Sequence, residues 1–201
     1  MIYIVRHGET NYNKEKRMQG QTDIELNETG RSLAKDIAEQ FKDIKIDEIV
    51  ASDLRRASET AEIVNQYHEL PIRLDKRLRE FNYGTIEGRL RDEITPETGT
   101  RYNKDPHSFE AETMEDIFKR VSDFWNELSL NCKNKNILVV SHGGPIKISK
   151  YYFDHGDKFD YDTFLRDYMH GMKIRNLEVL KIANRDLISK GEKDRFYNRE
   201  V

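Results

Sequence analysis

Two short apolar runs in this sequence each lead into a histidine that glycine follows. The first run, residues 3–5, continues into Arg6 and His7, and the second, residues 137–140, reaches His142 after one serine. An apolar run that stops abruptly at polar residues is typical of a strand buried on both faces of a parallel sheet. Ligands bind outside the carboxyl ends of such strands. We therefore expect both histidines to lie at one edge of a sheet.

Strand patterns and helix patterns alternate along the rest of the chain. Such alternation implies right-handed crossovers and helices on both faces of a mostly parallel sheet. The sequence thus predicts an α/β fold of three layers, an α/β/α sandwich. Further strands are expected at 46–51, 72–74 and 176–183, and helices at 113–130 and 146–153. Another helix is expected after a cap at Asn27 or Thr29. A fourth helix is expected after a cap at Asp53, and its apolar face consists of Ala57, Ala61, Val64 and Tyr67.

Length and composition favour one domain over residues 1–201. A polar, proline-containing stretch at about 89–111 is expected to be a cap-like insertion over the site. Residues 154–171 have no clear pattern, and the charged tail at 184–201 is expected to be a surface appendage.

Charge and cysteine content narrow the function classes. The formal net charge is −3, with 34 Lys and Arg against 37 Asp and Glu, so the chain lacks the global positive charge typical of nucleic-acid binding. A single cysteine, Cys132, excludes an intrachain disulfide framework. The start of the chain has too short an apolar run for a signal peptide, and no run is long enough to span a membrane. We expect a cytoplasmic protein.

Two arginines lie in the first turn of the helix that follows residue 53. A positive charge there opposes the helix dipole, which is unfavourable unless an anion binds nearby. Arg55 and Arg56 therefore indicate a local anion site.

Four ordered segments carry a resemblance to a known family. They are Arg6-His7-Gly8-Glu9-Thr10, then Leu54-Arg55-Arg56-Ala57-Ser58-Glu59-Thr60-Ala61, then Leu78-Arg79-Glu80 with Gly84 and Glu87-Gly88, and last Ser141-His142-Gly143-Gly144. This set resembles the histidine phosphatase superfamily, which includes phosphoglycerate mutases. The segment from Leu26 to Gly30 is similar to the helix entry that follows the histidine in that family. Either histidine alone is more typical of a structural residue.

The resemblance implies a role for each of five residues. His7 is the nucleophile that becomes phosphohistidine, and Glu80 is the proton donor to the leaving oxygen and then the base for water. Arg6 and Arg56 hold the phosphoryl oxygens, and His142 stabilises charge on them. These roles suit the chemistry, because a phosphate monoester needs cationic, preferably bidentate, donors. Arg56 is preferred to Arg55 because the family pattern places its arginine directly before alanine.

Secondary substrate contacts are expected, by resemblance and loop position, at five further residues: Asn13, Gln19, Gly20, Tyr83 and Gly143. Each has an alternative interpretation as a loop or turn residue. The resemblance implies no cofactor, and the sequence has no metal-ligand spacing. The arginines and histidines would replace the magnesium of other phosphoryl-transfer enzymes.

Three functions remain open at this point. The leading hypothesis is a phosphohydrolase that acts on small phosphate monoesters. A phosphoglycerate mutase-type phosphotransferase is second, because mutases of the family carry a paired arginine after the glutamate motif and this chain has only scattered basic residues there. A non-catalytic phosphate-binding protein is third. Such proteins typically lose the nucleophilic histidine or the acid, whereas His7 and Glu80 are both present here. We expect a small phosphorylated metabolite as partner, with no nucleic acid and no membrane, and leave a homodimer open.

Overall fold

The computed structural model of the protein describes residues 1–184 and 186. Within these residues five strands form one sheet, in the order β3-β2-β4-β1-β5. All neighbouring strands are parallel except β5, which pairs with β1 in the antiparallel direction. The mostly parallel sheet confirms the predicted fold class. The strands are β1 (Ile2–Arg6), β2 (Glu48–Ala51), β3 (Ile72–Leu74), β4 (Ile137–Ser141) and β5 (Val179–Ile182).

Helices connect the strands and cover both faces of the sheet. Short 3-10 segments follow several of them, and a π-helix at Phe164–His170 fills much of the stretch that had no clear sequence pattern. The α-helices are α1 (Asn11–Lys14), α2 (Glu28–Phe41), α3 (Arg55–Val64), α4 (Pro96–Lys104), α5 (Met114–Ser129), α6 (Gly143–His155) and α7 (Tyr161–Thr163).

The two faces of the sheet bury separate apolar clusters, as strand periodicity requires. Along β1, Ile2 and Ile4 point to the cluster formed with α5 and α6, whereas Val5 points to the cluster formed with α2 and α3. The α5 and α6 side holds the larger aromatic side chains, including fully buried Trp125, whose indole N–H donates to Ser149 Oγ at 2.8 Å. Because both faces of the sheet are buried, the strands are held in one position, and with them the sheet edge at which the histidines lie.

The helix after β2 does not begin as predicted. Its N-cap is Leu54, which provides no side-chain cap. Asp53 was the expected cap, but its carboxylate instead accepts two hydrogen bonds from Arg79, at 2.6 and 2.7 Å. The carboxylate of Asp23, which comes from the preceding loop, accepts from the Arg55 backbone N–H at 2.7 Å. A charged bidentate pair thus replaces the local cap.

Smaller differences concern exposure and element length. Tyr67 is 47% exposed and lies outside the apolar face of α3, because the chain turns into a 3-10 segment after Val64. The loop at 9–22 contains the one-turn helix α1, capped by Thr10. Helix α2 begins after Asn27, whose side chain accepts from the Gly30 N–H, as predicted.

The expected insertion at 89–111 contains helix α4 between two 3-10 segments, Arg91–Glu93 and Pro106–Phe109. Arg91 and Ile94 from this stretch line a cavity that Arg6 and Glu80 also line. The tail at 184–201 lies outside the described residues, apart from Asn184 and Asp186.

Helix α2 packs unusually close to the loop that carries His7. A methyl group on Gly30 would lie 2.2 Å from the Glu9 carbonyl oxygen and 2.7 Å from the Glu9 nitrogen. Both are backbone atoms, which cannot move aside as a flexible side chain can. Glycine at position 30 is therefore a packing requirement of the loop that carries His7.

We predict that Gly30→Ala lowers the free energy of unfolding by about 1–3 kcal/mol through overpacking. Chemical denaturation measures this change. Gly99→Ala is the matched control, because Gly99 lies in α4 with no neighbouring atom within 4 Å of the added methyl group. The control should gain up to roughly 1 kcal/mol from the higher helix propensity of alanine. Equal stability of Gly30→Ala and wild type would contradict the close approach.

Candidate active site

The parallel pairing of β1 and β4 brings the two predicted histidines together. Arg6 pairs with Ser141 in the strand register, and the next backbone N–H, that of His7, donates to the Ser141 carbonyl at 2.9 Å. The ring centroids of His7 and His142 are consequently 5.0 Å apart. Both rings are buried, with exposures of 1% and 0%. One sheet edge thus holds two histidines out of bulk water.

The hydrogen bonds of His7 leave one ring nitrogen available. Its Nδ1 lies 2.7 Å from the carbonyl oxygen of Gly8, which can only accept, so Nδ1 carries the proton. Nε2 then has a free lone pair. Burial, and the nearby charges of Arg56 and Arg6, lower the pKa of His7 well below its ordinary value. The neutral ring is the form that a nucleophile needs.

His142 is held from both sides. Arg56 Nε donates to its Nδ1 at 3.2 Å, so the proton of the neutral ring lies on Nε2, which is 2.8 Å from Ser52 Oγ. Burial is the main cause that lowers the pKa of His142, and Arg56 and His7 contribute further. The two histidines are thus neutral in opposite tautomers.

Arg56 is a completely buried cation with three of its nitrogens in use. Besides the contact with His142, it donates to the carbonyl oxygens of Gly20 at 2.6 Å and Thr22 at 2.9 Å. Burial lowers the pKa of Arg56 to about 10, so it stays charged at neutral pH. Its neighbour Arg55 is exposed and pairs with Glu25 at 3.0 Å. The sequence-based preference for Arg56 therefore agrees with its position beside both histidines.

Glu87 holds the loop that supplies those carbonyl groups. Its carboxylate accepts from the backbone N–H groups of Gln21 and Thr22 at 2.8 and 2.7 Å, and from the N–H of Tyr83 at 3.0 Å. One side chain thus links the loop around Gly20 to the segment that follows Glu80. Glu87, which follows Glu80 in the same sequence motif, therefore has a structural role in holding these two segments together.

Glu80 lies against the start of α6. Its carboxylate accepts from the Gly144 N–H at 3.0 Å and from its neighbour Phe81 N–H at 3.0 Å. A methyl group on Gly144 would lie 2.3 Å from the Glu80 oxygen. Glycine at this position therefore allows the carboxylate to reach the helix that follows His142.

A cavity of about 940 Å³ opens beside these residues. Arg6 and Glu80 line it, and so do Tyr83 and Gly143, two of the predicted secondary contacts. Arg6 donates to the Ile174 carbonyl at 2.6 Å, while its buried Nε has no hydrogen-bond partner among the described residues. An unpaired guanidinium nitrogen at a cavity wall is suited to an anion.

The other predicted contacts hold the loop and do not line this cavity. Asn13 Oδ1 accepts from the Thr10 N–H at 3.1 Å, and Gln19 Oε1 accepts from the Thr10 hydroxyl at 2.9 Å. Gly20 contributes its carbonyl group to Arg56. The structure therefore brings these three residues to the site through Thr10 and Arg56 rather than to the cavity surface.

Two polar residues at the site, buried Thr60 and half-buried Asn176, were not predicted from the sequence to take part in it. The hydroxyl of Thr60 accepts from the Gly8 N–H at 3.0 Å and donates to the Arg56 carbonyl at 2.7 Å. It thus ties the His7 loop to the helix that carries Arg56. The side chain of Asn176 donates to the carbonyl oxygens of His7 and Gly8 at 2.9 and 3.1 Å.

The part of the chain that the structure describes contains no group of three or more His, Cys, Asp or Glu side chains placed to bind a metal ion. Among the same residues, no helix combines the length and the apolar character needed to cross a bilayer.

We predict that Thr60→Val lowers kcat for phosphate ester hydrolysis at least about ten-fold, because it leaves the buried Gly8 N–H without an acceptor. Thr60→Ser keeps the hydroxyl and should recover most of the activity. Steady-state kinetics of both variants, with circular dichroism to check folding, tests this role. Equal activity of the valine and serine variants would show that the hydroxyl is dispensable.

We also predict that both buried histidines stay neutral as the pH falls through about 6.5, the ordinary histidine pKa. Nitrogen-15 NMR should find the proton on Nδ1 of His7 and on Nε2 of His142. Folding should become less favourable below about pH 6.5, because the unfolded chain binds protons that the folded chain does not. A titration of either ring centred near 6.5 would contradict the described environment.

Comparison with known proteins adds to this geometry. A protein of Bacillus subtilis (strain 168) that is named uncharacterized phosphatase PhoE is 39% identical over 145 residues, which are 72% of each chain. The phosphoglycerate mutase-like protein 4 of Arabidopsis thaliana is 34% identical over 73% of this chain and 67% of its own. The structure of a mycobacterial glucosyl-3-phosphoglycerate phosphatase in complex with VO3 matches with a TM-score of 0.67 at 33% identity, over 76% of this chain and 80% of that one. The family model for the histidine phosphatase superfamily, branch 1, matches residues 2–174, and the chain belongs to this superfamily.

Proposed function

We propose that the protein is a metal-independent phosphohydrolase that cleaves small phosphate monoesters through a phosphohistidine intermediate on His7. The observation that carries the proposal is the neutral, buried His7 ring, whose Nδ1 is bound to the Gly8 carbonyl. Its Nε2 keeps the free lone pair that a nucleophile needs. Two arginines that can hold a dianion, Arg6 and Arg56, are near the ring. The named phosphatases among its relatives support hydrolysis.

The first step of the proposed reaction forms the phosphohistidine. Nε2 of His7 attacks phosphorus with its lone pair as the bond to the ester oxygen breaks. The electron pair of that bond goes to the leaving oxygen, which takes a proton from Glu80. Arg6 and Arg56 would hold equatorial oxygens with their guanidinium N–H groups. His142 would hold the third with its Nε2–H, which exchanges Ser52 Oγ for a phosphoryl oxygen when substrate binds. Preorganised donors at these oxygens contribute most to catalysis.

The second step returns the enzyme to its starting state. Glu80, now ionised, takes a proton from a water molecule, and the water oxygen attacks phosphorus. The P–N bond breaks, its electron pair returns to Nε2, and inorganic phosphate leaves. Nδ1 keeps its proton on the Gly8 carbonyl throughout, so the tautomer of His7 is unchanged.

A phosphoglycerate mutase-type phosphotransferase is the second candidate, favoured by the name of the Arabidopsis thaliana relative. Hydrolysis is preferred because two of the three relatives described above are named phosphatases, and because no Arg-Arg pair follows Glu80 in residues 81–111. We propose a small phosphorylated metabolite as substrate and the cytoplasm as location, in keeping with a single buried cysteine, Cys132.

The wild-type protein should release phosphate from 4-nitrophenyl phosphate, and His7→Ala should not. His68→Ala is the matched control, because His68 lies after α3 and outside the lining of the cavity. Circular dichroism checks that each variant is folded. Mass spectrometry of the wild-type protein, quenched at neutral pH during turnover, should find an acid-labile phosphoryl group on His7. Turnover by His7→Ala, or a label on another residue, would overturn the proposal.

A further inference from the structure

The cavity beside Glu80 has an unbalanced charge. Five cationic side chains line it, and the lining contains one carboxylate, that of Glu80. The cations come from four separate parts of the chain: Arg6, Arg91, Lys147, and Lys173 with Arg175. The protein as a whole carries a formal net charge of −3. The excess of positive charge is therefore local to this cavity.

None of these five cations has a carboxylate partner in the described part of the chain. Many other arginines and lysines form ion pairs, such as Arg79 with Asp53 and Arg120 with Glu112. No ion pair involves any of the five cavity cations within residues 1–184 and 186. Like charges that face one cavity repel each other, and an anionic ligand relieves that repulsion.

Lys147 is the most constrained of the four cations other than Arg6. It follows Gly143 by one turn of α6 and is half-buried, and its ammonium group donates to the Met169 carbonyl at 2.6 Å. Burial lowers the pKa of Lys147, and the charges of Arg6 and Arg91 lower it further, whereas Glu80 raises it. The ammonium group therefore lies within electrostatic reach of both the proposed acid and the phosphate-binding arginine.

The proposed reaction determines which part of a substrate would meet Lys147. Because Glu80 protonates the leaving oxygen, the organic part of the ester must extend past Glu80 into the cavity. Apolar side chains, Met18, Ile94, Met172 and Ile174, also line it and suit a short carbon skeleton. A volume of about 940 Å³ is larger than a phosphoryl group needs.

We propose that the substrate carries a second anionic group, a carboxylate or a second phosphate, and that Lys147 binds it with help from the other cavity cations. This inference rests on the proposed function for the position of the ester phosphate. Lys147 and the segment at 172–176 thus determine specificity, whereas Arg6, Arg56 and the histidines act on the phosphoryl group that all substrates share.

Binding to His7→Ala tests the inference without turnover. Glycerol 3-phosphate is the reference ligand, 3-phosphoglycerate replaces its hydroxymethyl group by a carboxylate, and glycerol 1,3-bisphosphate adds a phosphate. Calorimetry should give a Kd that is at least roughly ten-fold lower for 3-phosphoglycerate, for glycerol 1,3-bisphosphate or for both than for glycerol 3-phosphate. This factor is typical of a charge-assisted hydrogen bond. The ligand with the larger advantage identifies the second group.

Lys147→Met in the His7→Ala background should reduce that advantage to less than about three-fold. Lys35→Met is the control, because Lys35 is exposed on α2, and it should keep the advantage. Competitive inhibition of 4-nitrophenyl phosphate hydrolysis by the same ligands, in proteins with His7 intact, gives a second measure of the same ratios. Equal Kd values for all three ligands, or an advantage that survives Lys147→Met, would overturn the inference. Phosphate release by the wild-type protein reports on the proposed function separately.

Discussion

The parallel pairing of β1 with β4 is the constraint on which the site depends. It places residues 7 and 142 side by side because both directly follow the last residues of adjacent strands in register. Their side chains leave the sheet at an edge that α2, α3, α5 and α6 enclose. A one-residue slip in this pairing would send one histidine to the opposite side of its strand. The buried aliphatic side chains on both faces of the sheet make such a slip costly.

A buried guanidinium forms the second layer of the site. An ion removed from water loses several kcal/mol of solvation, and this loss persists unless hydrogen bonds offset it. Arg56 recovers part of it from two carbonyl groups and one histidine, and those carbonyl groups are held in turn by Glu87. Burial and, after it, the positive charge of Arg56 lower the pKa values of His7 and His142 and keep both rings neutral. The same residue thus organises the loop, helps to keep both rings neutral and is placed to bind an anion.

The sequence was most informative where local pattern decides the structure. The two strand ends and a helix cap at Asn27 or Thr29 depend on nearby residues, and the structure has both strand ends and the cap at Asn27. Prediction was wrong at Asp53, where a tertiary ion pair with Arg79 outcompetes the local cap.

Contacts between distant segments could not be read from pattern alone. Asn176 contacts His7 across 169 positions, and Lys147 reaches the cavity only because α6 packs beside the segment that carries Met169. The sequence pattern pointed to additional cations only in the insertion after Glu80. The structure places most of them elsewhere, at Lys147 and at 173–175.

The central claim is that His7 Nε2 accepts a phosphoryl group held by Arg6, Arg56 and His142. A crystal structure with vanadate, which adopts the five-coordinate geometry of the transferring phosphoryl group, tests this claim most directly. The account predicts vanadium within bonding distance of His7 Nε2, with its equatorial oxygens contacting those three side chains and its apical oxygen facing Glu80. Vanadate bound to another side chain, or held away from His7, would contradict it.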